Sequence, residues 1–126
     1  MQIRNRTGIV APLSRGDVYL VNLDPVIKHD IEKARPALII QNDVGNRFSP
    51  ITIIAPIASA KEIKRPLPVT IFIEKGEAGL NEDSYIDCGQ IRTIENEKRL
   101  VAKFGSLNKP KLNEVDRALK ISLALQ

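Results

Sequence analysis

The fold is decided by residues 35–59, RPALIIQNDVGNRFSPITIIAPIAS, which predict two strands joined by a polar loop. The apolar runs Ala37–Ile40 and Ile51–Ala55 have the composition of short buried strands. The loop between them is rich in residues that favour turns: Asn42, Asp43, Gly45, Asn46, Ser49 and Pro50. An alternative is that Asn46, Arg47 and Phe48 form a stacking cluster that binds a ligand. We expect instead that Gly45 to Pro50 is a packed turn with Phe48 in the core.

Arg35 stands at the start of the first of these strands. Pro36 disfavours the helical conformation for the residue before it, so Arg35 is expected to be extended. A guanidinium held at the end of a buried strand is suited to binding phosphate, because its planar fork matches two oxygens at once. The same pattern also fits a salt bridge that pins the loop to the sheet, and the residues alone leave both interpretations open.

The bulk properties indicate a single domain with an anionic partner. The chain has 126 residues and a net charge of +4, and the excess lies in residues 1–65, which carry 10 basic and 6 acidic side chains. A basic half favours nucleic acid or an acidic protein segment, although ordinary solubility charge would look the same. Cys88 is the only cysteine, which excludes an intrachain disulfide and suits a reducing cytosol. No apolar run approaches the roughly 20 residues of a membrane helix, so no membrane partner is expected.

The rest of the chain predicts several strands followed by one helix. Residues 1–14 are expected to be a loosely held tail, and residues 15–126 one domain. Further short strands are predicted at Val18–Val21, Val69–Ile73, Ser84–Cys88, Gln90–Ile94 and Leu100–Phe104. The C-terminal part then changes to the period of a helix, with an apolar stripe formed by Leu112, Val115, Ala118, Leu119, Ile121 and Leu125. Asn108 is its expected N-cap and Pro110 lies in its first turn. This order predicts an α+β fold: a bent antiparallel sheet or small barrel with an amphipathic helix covering one side.

Six ordered motifs resemble those of the MazF/PemK toxins. They are RGDVY at 15–19, DP at 24–25, RPALIIQND at 35–43, GNRFSP at 45–50, QIRTI at 90–94 and AL…SLAL at 118–125. The likeness therefore spans Arg15 to Leu125, and only the tail lies outside it.

The resemblance implies a PemK/CcdB-like barrel and a homodimer. It implies a cytoplasmic toxin of a type II toxin–antitoxin system, an mRNA interferase that cuts single-stranded RNA at short sequences through attack of the 2′-hydroxyl, with no metal or other cofactor. It also implies an acidic, partly disordered MazE-like antitoxin that fills the RNA groove. The apolar strands and the C-terminal stripe independently predict a patch for a symmetric homodimer.

The resemblance also implies site residues. Arg35 matches the family's catalytic arginine, and Asp30 stands where many relatives carry Glu, either as the general base or to orient Arg35. Lys28 and His29 are expected to bind substrate. His29, as the sole histidine, could also shuttle protons, although a lone histidine in a surface loop is more often incidental. Asn42 and Gln90 match polar positions that contact bases, with loop capping as the alternative for Asn42.

Ala58 departs from the family pattern, because active relatives usually have Thr or Ser there. Ser59 follows it. If the strand continues, Ser59 faces the opposite side, and if the strand has ended, Ser59 could reach the site as a catalytic hydroxyl. Two alternatives therefore accompany the endoribonuclease hypothesis. One is a weakened or inactive homologue that binds RNA and antitoxin, and the other is a CcdB-like DNA-gyrase inhibitor, against which the retained Arg35 region argues.

Overall fold

The computed structural model describes residues 2–4, 10–23, 34–63 and 65–126. Lys28, His29 and Asp30, three of the expected site residues, lie outside these ranges. Among the described residues, no helix has the length and apolar character needed to cross a membrane.

The described chain contains nine strands, three helices and two single 3₁₀ turns. The strands are β1 (Gln2–Arg4), β2 (Val10–Pro12), β3 (Asp17–Val21), β4 (Arg35–Ile39), β5 (Ile51–Ser59), β6 (Thr70–Ile73), β7 (Ser84–Asp87), β8 (Arg92–Glu95) and β9 (Leu100–Ser106). The helices are α1 (Asp43–Phe48), α2 (Asn96–Arg99) and α3 (Lys109–Ser122), and the 3₁₀ turns are Ala60–Glu62 and Glu77–Gly79.

Strands β3 to β9 form one antiparallel sheet in the order β6-β7-β5-β4-β3-β9, with β8 also paired to β5. The long strand β5 pairs with three other strands of this sheet. Its first half pairs with β8, its middle pairs with β4 through Leu38 and Ala55, and its last residues pair with β7 through Ile57 and Ile86. The α+β prediction of an antiparallel sheet with a C-terminal helix is therefore confirmed.

The core lies on both faces of the central strands. On one face Val18 and Leu38 join a cluster that includes Val115 and Ala118 of α3. On the other face Tyr19 and Ile39 join a second cluster. Burial on both faces explains why β4 is a continuous apolar run rather than an alternating one.

Helix α3 begins where the sequence predicts. The side chain of Asn108 accepts a hydrogen bond of 2.9 Å from the backbone N–H of Lys111, and Pro110 lies in the first turn. The predicted apolar stripe is buried only in part, since Ile121 is 62% exposed and Leu125 is 60% exposed. The apolar end of the chain is therefore open to solvent in the monomer.

The segment after β4 is a short helix, where the sequence predicted a turn. The side chain of Asn42 caps α1 by accepting a 2.7 Å hydrogen bond from the N–H of Gly45. Asn46 is fully buried, and its Oδ1 accepts a 2.7 Å bond from the hydroxyl of Thr52. Phe48, two residues later, points away from Asn46 because two helical residues span about 200°. It is 76% exposed, so the prediction that Phe48 lies in the core is wrong.

Two short strands lie among the first residues. β1 and β2 pair in antiparallel register, with Gln2 opposite Pro12. The assignment of residues 1–14 as a tail before the domain stays a prediction. Leu13, directly after β2, is 3% exposed and joins the second core cluster. Three-residue strands have too little pattern to be recognised from sequence.

Candidate active site

A cavity of about 590 Å³ lies where β4, β5 and β7 meet. It is lined by four residues that the sequence analysis singled out: Arg35, Ala58, Ser59 and Gln90. Arg35, the adjacent pair Ala58 and Ser59, and Gln90 lie far apart along the chain, so the fold brings these three parts together. The cavity is therefore the candidate site.

Arg35 is placed by the pairing of β4. It is the first residue of that strand and lies opposite Val21 of β3. Since Ala37 pairs with Pro56 in antiparallel register, Arg35 lies at the level of Ala58 on β5. Nη1 of Arg35 donates a 3.2 Å hydrogen bond to the carbonyl of Ala34, which is buried. The exposed guanidinium is thus attached to a rigid part of the sheet.

Strand β5 continues through Ser59, which is the first of the two strand alternatives that the sequence left open. Ala58 pairs with Tyr85 and Ser59 pairs with Ser84, so the side chains of Ala58 and Ser59 point to opposite faces. The hydroxyl oxygen of Ser59 accepts a 3.3 Å hydrogen bond from the N–H of Lys61 and caps the 3₁₀ turn. Ser59 still lines the cavity.

Gln90 is held by a neighbouring carboxylate. Its Nε2 donates a 2.7 Å hydrogen bond to Oδ2 of Asp87, while Oδ1 of Asp87 accepts a 2.8 Å bond from the N–H of Gly89. Both Gln90 and Asp87 line the cavity. The carboxamide therefore has a fixed orientation there.

Asn42 is not brought to this cavity. It caps α1, as the alternative interpretation of this residue proposed. Its role in binding bases stays a prediction, as do the roles of Lys28, His29 and Asp30, which lie outside the described residues.

Cys88 lies beside Asp87 but is fully buried. Burial, and secondarily the negative charge of Asp87, raises the pKa of its thiol to about 11. The thiol is therefore protonated at neutral pH and is not a nucleophile for the cavity.

Comparison with protein families identifies the chain. Residues 14–123 match the family described as PemK-like, MazF-like toxin of type II toxin-antitoxin system. The chain belongs to this family.

A curated relative supports the same assignment. Endoribonuclease EndoA of Bacillus subtilis (strain 168) is 45% identical over 113 residues, which cover 90% of this chain and 96% of that protein.

Solved structures share the fold at lower identity. An endoribonuclease from a mycobacterial species, solved in complex with its cognate antitoxin, matches with a TM-score of 0.73 and 22% identity, covering 90% of this chain and 97% of that one. MazF from Deinococcus radiodurans matches with a TM-score of 0.73 and 17% identity, covering 91% and 99%. At these identities the likeness concerns the fold.

This member of the PemK/MazF family has cavity residues that the sequence analysis missed. They are Glu62, Glu82, Tyr85 and Asp87. Tyr85 also packs edge-on against Phe72, with ring centroids 5.5 Å apart and an interplanar angle of 64°. The alternation within β7 indicates that Tyr85 and Asp87 share a face, but the strands that complete the cavity are distant in sequence.

Proposed function

We propose that this protein is the endoribonuclease toxin of a type II toxin–antitoxin pair and that it cuts single-stranded mRNA in the cytoplasm. The observation that carries the proposal is Arg35, which lies at the candidate cavity in a chain that belongs to the PemK/MazF family. The relative EndoA, at 45% identity, is named an endoribonuclease. An exposed arginine on a rigid strand end is suited to holding a phosphodiester.

The proposed reaction uses the RNA's own 2′-hydroxyl. Its oxygen attacks the adjacent phosphorus and loses its proton to a base. The bond from phosphorus to the 5′-oxygen breaks, and the 5′-oxygen takes up a proton as it leaves. The products are a 2′,3′-cyclic phosphate and a free 5′-hydroxyl. The nucleophile is already beside the phosphorus, so the protein needs to position it and to move protons, and no metal ion is needed to supply a hydroxide. Arg35 stabilises the negative charge that grows on the phosphoryl oxygens.

The proton of the 2′-hydroxyl has to pass to a base. We retain Asp30 in this role, or as the residue that orients Arg35, with Lys28 and His29 binding the substrate beside it. Ser59 stays in the proposal as a hydrogen-bond donor, because its hydroxyl accepts from Lys61 but keeps its own proton. The carboxylates of Glu62 and Glu82 also line the cavity and are further candidates for the base.

Recognition of a short sequence is assigned to Gln90. An amide both donates and accepts, which lets it pair with the edge of an unstacked base. Asp87 holds this amide at the cavity, because Nε2 of Gln90 lies 2.7 Å from Oδ2 of Asp87.

The proposed partners are a second copy of the chain and an acidic antitoxin. The exposed apolar side chains of Ile121, Leu123 and Leu125 at the C-terminal end supply a surface that a second copy would cover. The net charge of +4 favours binding of an acidic antitoxin segment, which would cover the RNA-binding face. The mycobacterial relative was solved with its own antitoxin.

The proposal is tested by incubating the protein with a mixed single-stranded RNA in EDTA and mapping the ends of the products. We expect cleavage at short sequences, with 2′,3′-cyclic phosphate or 3′-phosphate ends. Arg35→Ala should abolish cleavage. Arg117→Ala is the matched control, because it removes the same charge from the exposed face of α3. Failure of the wild type to cleave, 3′-hydroxyl products, or equal activity of the Arg35→Ala variant would refute the proposal.

A further inference from the structure

The contact between Asp87 and Gln90 has a definite polarity. A carboxylate accepts hydrogen bonds and does not donate them, so the end of the Gln90 side chain that meets Asp87 must be its NH₂ group. The Nε2–Oδ2 distance of 2.7 Å is that of a strong charge-assisted bond. The carbonyl oxygen Oε1 is consequently at the end turned away from Asp87.

Asp87 is itself fixed from the other side. Its Oδ1 accepts the N–H of Gly89 at 2.8 Å, and it pairs with Thr70 across the sheet. Both of its oxygens therefore accept a hydrogen bond, one from the backbone of Gly89 and one from the side chain of Gln90. The orientation of Gln90 is set by the backbone of the turn after β7.

Tyr85 stands two residues before Asp87, so both side chains lie on the same face of β7. Its half-buried ring lines the cavity and is supported edge-on by Phe72. An aromatic ring beside a polar pair is the arrangement by which proteins hold unstacked RNA bases, the ring stacking on the base and the polar groups reading its edge.

We propose that Asp87 is a positioning residue which makes Gln90 a hydrogen-bond acceptor, and that the resulting subsite selects adenine or cytosine over uracil, because these two bases carry an amino group where uracil carries a carbonyl oxygen. This inference rests on the proposed function, since it assigns base selection within the same cavity. Adenine presents its N6 amino group and cytosine its N4 amino group as donors. Uracil presents a carbonyl oxygen at that position, which would face both Oε1 of Gln90 and the nearby negative charge of Asp87.

The substitution Asp87→Asn should invert the polarity of the subsite. The N–H of Gly89 still requires an acceptor, so the carbonyl oxygen of the new amide takes the place of Oδ1. Its NH₂ group then takes the place of Oδ2 and can only donate. Gln90 has to turn its Oε1 toward that group, and its own NH₂ becomes the end available to a base. The variant should therefore favour uracil.

The experiment measures binding of fluorescent 2′-O-methyl oligonucleotides of A, C or U by anisotropy, because the methyl group removes the nucleophile and prevents cleavage. We expect the wild type to bind the A and C oligomers roughly 5- to 150-fold more tightly than the U oligomer, the range given by one good base contact. Asp87→Asn should reduce or reverse this ratio, and Gln90→Met, which removes both ends of the amide, should level it. The affinity ratio between oligomers is compared between the wild type and each variant. Differences in stacking among the free oligomers are the same for every protein and therefore cancel.

Asp83→Asn is the matched control. It removes the same charge from a nearby exposed carboxylate, and an asparagine there keeps the acceptor for the N–H of Lys75. It should leave the base preference unchanged. A wild type without preference for A or C, or a preference unaltered by both Asp87→Asn and Gln90→Met, would overturn the inference. Because binding is measured without cleavage, an inverted preference in a protein that cuts no RNA would refute the proposed function and leave the base selection standing.

Discussion

Restoring a hydroxyl at position 58 should accelerate cleavage. Ala58 is half-buried at the cavity, at the level of Arg35. The resemblance to the MazF/PemK toxins implies Thr or Ser at this position. A hydroxyl there would lie beside the guanidinium of Arg35, which we propose holds the phosphate, and could donate one hydrogen bond to a charged phosphoryl oxygen. The substitution is Ala58→Thr, with Ala58→Val as the control of similar shape that lacks the hydroxyl.

The size of the effect follows from the type of bond. Hydrogen bonds to charged groups contribute about 1.5–3 kcal/mol. A bond made only in the transition state lowers the barrier by that amount, which corresponds to a roughly 10- to 150-fold increase in rate. The change adds two heavy atoms at the wall of an open cavity, so the steric penalty should be smaller than in a packed core.

The assay is single-turnover cleavage of a short RNA in EDTA, with protein in excess so that the rate of the chemical step is measured. We expect Ala58→Thr to be faster than the wild type and Ala58→Val not to be. Arg35→Ala should abolish cleavage both in the wild type and in the Ala58→Thr variant. Ser59→Ala should slow the wild type only if the hydroxyl of Ser59 has replaced the missing one. A wild-type rate that neither Ala58→Thr nor Ser59→Ala alters would show that no hydroxyl acts here, and our account of the site would be wrong.

Three further predictions concern stability and are measured by urea unfolding. Gly79→Ala should destabilise the fold far more than Gly76→Ala. Both glycines have positive φ, but a Cβ at Gly79 would clash with the carbonyl oxygen of Phe104, whereas nothing lies within 4 Å of a Cβ at Gly76. Asn46→Ala should cost about 1–3 kcal/mol, because it leaves the buried hydroxyl of Thr52 without its acceptor, while Phe48→Ser should be nearly neutral; similar losses for both would contradict this. Stability should fall as the pH rises from about 9 to 12, because burial raises the pKa of Cys88 to about 11 and of Tyr19 to about 12, so each group is neutral in the folded state at pH values where it ionises in the unfolded chain. Tyr19→Phe should reduce the slope above pH 10.

Local pattern predicted the parts of the fold that depend on local physics. The apolar runs of β4 and β5 and the capped helix α3 are each specified by their own residues. The helix α1 was missed because Asn42, Asp43 and Gly45 favour turns and helix starts alike, and the choice between them depends on the buried contacts of Asn46. The exposed position of Phe48 follows from that helix and could not be derived without it.

The candidate site was predictable to the extent that the family motifs mark it. Arg35 and Gln90 were identified from their motifs, and the structure places both at one cavity. Tyr85 and Asp87 carry no such motif. Their position depends on the register of β7 against β5 and β6, and register is a property of strands that are distant in sequence.

The register also places Ala58, which we expect to affect the rate of cleavage, at a distance from Asp87, which we expect to affect the choice of base. Across the sheet, Arg35 lies at the level of Ala58, and Ala58 pairs with Tyr85. Asp87 is two residues further along β7, so its backbone lies roughly 8 Å from that of Ala58, given the usual spacing and rise of strands. Substitutions at this distance that share no partner usually act independently. We therefore expect Ala58→Thr to change the rate and leave the cleaved sequences unchanged, and Asp87→Asn to change the sequences. In the double variant the two effects on the cleavage rate of each RNA should multiply, within a factor of about two. A double variant whose rate departs from that product by tenfold would show that phosphate and base are bound by one coupled group of residues.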